Sequence, residues 1–96
     1  MSGKPKRTRG GANVFTDLGF DPDEADNLLL RAKLMSHIRG AARDMTQQDA
    51  AALFGVSQPR LNDVLRGKIE KVSLDALVKM LGNAGMRVEI RVRKAA

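Results

Sequence analysis

The chain has no cysteine, tryptophan or tyrosine, and only one histidine. Without cysteine there is no disulfide framework and no thiolate-ligated zinc site. Phe15, Phe20 and Phe54 are the only aromatics, so recognition of single-stranded bases by aromatic stacking has little support. His37 has no second ligand or base at a useful spacing, and no carboxylate pair converges with it, so the chain is expected not to be an enzyme. The acidic run Asp21-Pro22-Asp23-Glu24-Ala25-Asp26 matches part of a calcium loop. It carries Asp26 where that loop needs glycine and Ala32 where it needs glutamate, so neither a metal nor another cofactor is expected. No apolar run approaches membrane-spanning length. The basic N-terminus is not followed by the apolar segment of a signal peptide. The cytoplasm is the expected location, with no membrane contact.

What is present is basic. Seventeen Lys and Arg against eleven Asp and Glu leave a net charge of +6, a balance that suits a polyanion, with nucleic acid as first candidate. At 96 residues one small domain is expected, with a modest core that gains from oligomerisation. Three regions follow from composition: a flexible basic arm (1–12), a helical DNA-binding domain (13–85) and a C-terminal dimerisation strand with its tail (86–96). The arm carries Lys4, Lys6, Arg7 and Arg9 without an acid. It can contact phosphates or reach a minor groove, or be a solvated tail.

The stretch 46–67, TQQDAAALFGVSQPRLNDVLRG, organises the rest. Its spacing predicts a short helix over Gln47 to Phe54 with Ala50, Ala51 and Leu53 inward. Gly55 stands where the chain needs positive φ. Val56 plugs the turn, Ser57 N-caps a second helix, and Pro59 sits in its first turn, where a missing N–H is harmless. Leu61, Val64 and Leu65 supply the buried face, and Gly67 ends it. Two helices joined by a short glycine-containing turn form a helix-turn-helix, which sets the start of its second helix in a DNA major groove. Ala51 falls where the two helices cross and leaves room for close approach.

On either side the pattern is also helical. In 13–20, NVFTDLGF, the residues Val14, Phe15, Leu18 and Phe20 form an apolar group too short for an independent helix. It either covers the following helix or docks on a partner. That next helix should run from Asp21, as cap, to about Arg43. Leu30, Leu34, Ile38, Ala41 and Ala42 share one face, with Leu28 and Met35 at its margins. Leu29 points away, toward the Phe cluster or a partner. After a linker over 68–72, Ser73 caps a last helix with Leu74, Leu77, Val78 and Leu81 inward and Met80 at the edge. The final segment, MRVEIRVR, alternates apolar and charged residues as a half-buried strand does. Such a strand needs a partner. It can pair near Val14, or with its own copy, burying Met86, Val88, Ile90 and Val92 at an isologous dimer seam.

On DNA the expected roles sort by position. Gln58 and Pro59 open the second helix, and Gln58 can read an adenine edge. Arg60 reads guanine or grips phosphate. Asn62 and Asp63 lie one turn on; Asp63 either repels phosphate or accepts from a cytosine amino group. Gln47 braces Gln58 and binds phosphate, as can Ser57 with the helix amides. Arg66, Lys68 and Lys71 are expected to contact the backbone.

The pattern T-Q-x-x-x-A-x-x-x-G-V-S-Q-x-x-L within 46–67 resembles the lambda-repressor-like regulators. Over about 13–93, the order DEADNLLLRAKL, TQQDAAALFGVSQPRLNDVLRGK and VSLDALVKMLGNAGMRVEIRV resembles small XRE-type antitoxins of the HigA kind. The resemblance implies a mainly α, lambda-repressor-like bundle whose C-terminal β-strand pairs across a homodimer. It also implies an autoregulating repressor on an inverted-repeat operator in double-stranded DNA, and a RelE/HigB-like ribonuclease toxin as partner. Val14, Phe15, Leu18, Phe20 and Leu29 are the surface expected to hold that toxin. A phage-derived regulator without a toxin is the alternative.

Overall fold

The computed structural model describes residues 13–94. The basic arm, with its expected phosphate or groove contacts, lies outside them. Helix α1 (Val14–Asp17) is followed by α2 (Pro22–Ala42), α3 (Gln47–Phe54) and α4 (Gln58–Leu65). A 3-10 turn (Ile69–Lys71) then leads to α5 (Leu74–Asn83).

Three of the helix starts are set by hydroxyl caps. Thr46 Oγ1 accepts from the Asp49 N–H at 3.0 Å, Ser57 Oγ from Arg60 at 3.3 Å and Ser73 Oγ from Ala76 at 3.1 Å. Each satisfies a backbone donor that the first turn leaves without a helical partner. Asp21 occupies the cap position of α2 but its side chain makes no hydrogen bond there. That start rests on Pro22 and on Asp23 and Glu24 facing the positive helix end.

The 21-residue α2 is the spine, packed against α1, α4, α5 and the 3-10 turn. Its buried residues are Ala25, Leu28, Met35, Ile38 and Ala42. Leu28 and Met35 are therefore central rather than marginal. The expected face residues Leu30, Leu34 and Ala41 are only half-buried, as is Leu29. Apolar residues occur nearly all round this helix, so the neighbouring helices select which become buried.

Two similar corrections apply elsewhere. In α3 it is Phe54, fully buried, that enters the core with Ala50 and Ala51, while Leu53 is exposed. In α5 the core residues are Leu77, Met80 and Leu81, and Val78 is exposed. Leu61, Val64 and Val72 complete the core. Val72 makes the linker an anchored turn, since its side chain is buried with the helices around it.

After Gly85, which has a φ of +83°, Met86 to Lys94 contains neither helix nor strand. The expected C-terminal strand is thus absent from the single chain. A strand is defined by a ladder, and no described segment offers a second row of backbone groups. Pairing near Val14 is closed because Val14 is helical. Val88 packs half-buried on the core, whereas Met86, Ile90 and Val92 are exposed.

Candidate nucleic-acid interface

The turn between α3 and α4 fixes the candidate site. Gly55 adopts φ +69°, the left-handed region in which a side chain is strained. Its missing Cβ has a second use. An added Cβ would lie 2.6 Å from Asn83 Nδ2, and that amide donates to the Phe54 carbonyl at 3.0 Å. The end of α3 is thereby tied to the end of α5 through space a side chain would occupy. Ala51, only 5% exposed, lies in the core as the helix crossing requires.

Helix α4 is held by Leu61 and Val64, both fully buried. One turn of spacing then leaves Gln58, Pro59 and Arg60 exposed at its start, next to Ser57. Asn62 and Asp63 are half-buried farther along, and Arg66, the C-cap, is exposed. Gln47 is exposed at the first position of α3. Lys68 lies 3.9 Å from Asp63, so the Asp63 carboxylate has a cation beside it. Lys71 is exposed in the 3-10 turn. The structure therefore brings Ser57, Gln58, Pro59 and Arg60 together on the first turn of α4, and joins Asp63 to Lys68. This surface offers amide, guanidinium and ammonium donors on a rigid helix start, the groups that hydrogen-bond base edges and phosphates.

Sequence reasoning missed Arg31. This α2 residue donates from Nη1 to the Ile69 carbonyl at 3.0 Å and from Nε to Asn27 Oδ1 at 2.6 Å. Only the Asn27 spacing of four is readable in sequence; the contact with Ile69 spans 38 residues. Arg31 borders an open polar cleft of about 390 Å³ that Arg60, Lys71 and Ser73 also line.

The residues assigned to partner binding lie at α1. Asn13 caps that short helix, accepting from the Phe15 N–H at 2.9 Å, and reaches Asp26 of α2 at 3.4 Å. Phe15 and Phe20 meet edge to face with centroids 6.2 Å apart. Val14 and Leu18 are 56% and 69% exposed. A cleft of about 280 Å³ beside the two rings is lined by Leu28 and Ile69, with Arg31 and Glu70 at its border; Leu29 does not line it.

His37 is exposed, beside the cleft formed by Leu34, Leu81 and Val88. No described helix is long and apolar enough to cross a membrane.

Comparison with known protein families matches residues 14–93 to a helix-turn-helix domain. Among curated proteins, none matches the chain.

Proposed function

Because the chain belongs to the helix-turn-helix domain family, we propose that it is a sequence-specific repressor, a binding protein and not an enzyme, that acts as a homodimer on double-stranded DNA. The observation that carries this reading is the exposed Gln58-Pro59-Arg60 turn over the buried Leu61 and Val64. Gln58 and Arg60 read base edges, with Asn62 and Asp63 farther along the groove. Gln47, Ser57, Arg66, Lys68 and Lys71 hold the backbone. Met86, Val88, Ile90 and Val92 pair with their copies across the two-fold axis, and the operator is an inverted repeat.

In its finer form the proposal makes the protein an antitoxin that captures a RelE/HigB-like toxin and represses its own operon. The XRE/HigA resemblance supports this, together with the exposed Val14, Leu18 and Phe20 beside Phe15. Fold resemblance alone does not carry a partner, so both halves need testing. Footprinting on the DNA upstream of its own gene should protect an inverted repeat. Co-expression with the adjacent gene should yield a stable complex. A footprint without a complex means a stand-alone regulator, and no footprint overturns the DNA-binding reading.

A further inference from the structure

The cleft bordered by Arg31 gathers three cations against one carboxylate. Arg31 comes from α2, Arg60 from the first turn of α4 and Lys71 from the 3-10 turn. Glu70 is the only carboxylate lining the cleft. None of the three cations lies within 4.0 Å of a carboxylate among the described residues, where Lys68 with Asp63 is the one ion pair. Like charges converging on a concave surface raise the local concentration of anions.

Arg31 is also fixed in place. Its Nη1 and Nε are committed to Ile69 and Asn27, and its Nη2 has no partner among the described residues. A guanidinium held in this way loses little freedom when it takes an oxyanion, and its planar fork matches phosphate.

We propose that this cleft binds a phosphate of the DNA backbone, so that the footprint of the protein extends from the helix-turn-helix onto α2. The inference rests on the DNA-binding reading and adds Arg31 to it. The shared chemistry is that of a phosphate oxyanion, whose source could be duplex DNA or a free phosphorylated molecule. The duplex is favoured because Arg60 lines the cleft from the same turn of α4 that presents Gln58. A backbone seated on that turn would pass Arg60 and so come to the cleft that Arg60 lines.

The test uses the full chain and a random-sequence 30-bp duplex, with affinity measured across a range of salt concentrations. Each phosphate contact contributes about 0.9 to the slope of log affinity against log salt. Arg31→Gln keeps a donor at the position of Nε, for Asn27, and removes the charge along with the bond to Ile69. It should reduce the slope by about one and weaken binding on the order of tenfold at 0.1 M salt. Arg31→Lys should keep the slope. An unchanged slope for Arg31→Gln overturns the inference, as do equal losses for both variants with no slope change, which would mark a merely structural role. A second arm compares thermal melting in inorganic phosphate and in chloride at equal ionic strength. Phosphate stabilisation lost in Arg31→Gln, with the DNA slope unchanged, would assign the cleft to a free anion and overturn the duplex assignment. If the unmodified protein fails to bind the duplex at all, it is the DNA-binding reading that falls.

Discussion

The Asn83 side-chain amide donates to the Phe54 carbonyl at 3.0 Å, across the place a side chain at Gly55 would fill. Loss of either partner affects the same joint between α3 and α5. Asn83→Ala should cost about 1 kcal/mol, the usual worth of such a bond. Gly55→Ala should cost about 1–2 kcal/mol for the left-handed backbone, with the contact to Asn83 added. The contact is absent in the double variant, so the two losses should sum to more than the double variant shows. Urea denaturation of the four proteins measures this, and strict additivity would show that the joint is not shared.

Base reading and backbone binding separate by variant. Gln58→Ala should weaken operator binding by about 1–3 kcal/mol, with little effect on scrambled DNA. Arg60→Ala should weaken binding to both, and to the operator more, because Arg60 also lines the proposed phosphate cleft. Lys68→Ala should weaken both DNAs alike and lower the salt slope by about one. Competition binding on operator and scrambled duplexes at several salt concentrations distinguishes them; equal losses on both DNAs for Gln58→Ala would end its base-reading assignment.

Asp63 makes the same comparison sharper. Its pair with Lys68 is partly exposed, and such pairs contribute at most about 1 kcal/mol to stability. Asp63→Asn should leave folding nearly unchanged and tighten binding to any duplex, since Lys68 and nearby phosphates are relieved of a carboxylate. Tightening on scrambled DNA with loss on the operator would instead identify Asp63 as a reader of cytosine.

Ala51→Leu should destabilise the fold by roughly 1–3 kcal/mol through overpacking. Ala51 is buried where α3 meets its neighbours, so repacking also tilts α4. Thermal melting and DNA affinity should fall together. If neither moves, close approach at Ala51 is not needed.

Ile90 is 53% exposed in the single chain, which makes it a clean probe of assembly. Ile90→Asp should leave the helical circular dichroism unchanged and abolish the proposed dimer. DNA affinity should then drop steeply, because the second half-site, roughly 34–36 Å away, is no longer tethered. Dimers persisting at micromolar concentration in sedimentation would place the seam elsewhere.

Local chemistry was the legible part. Ser57 and Ser73 cap as their positions indicate, and Gly55 and Gly67 take positive φ where the helices end. These signals need only a few neighbouring residues. Burial was harder to read where apolar residues crowd together. Five consecutive residues, Ala50 to Phe54, allow more than one inward face, and the reversal after Phe54 selects it over Leu53. In α2 the apolar residues surround the axis, so contact with four other elements decides which are buried. Val72 sits between charged or polar neighbours, and only the tertiary arrangement makes it core. At the candidate site, the exposed turn Gln58 to Arg60 was legible because it follows from one capped helix. The role of Arg31 was not, because its partner Ile69 is brought to it by the fold.

Arg31 and Glu70 border both the cationic cleft beside α4 and the apolar cleft beside Phe15 and Phe20. The two clefts share a wall. A protein seated against the two rings would therefore touch the same guanidinium that the DNA backbone is proposed to use, so independent occupancy is not expected. Any coupling free energy between the two events is reciprocal: by whatever factor the partner changes affinity for the operator, the operator changes affinity for the partner. If both the proposed partner and the proposed operator bind, the amount of one would set the apparent affinity for the other through that wall.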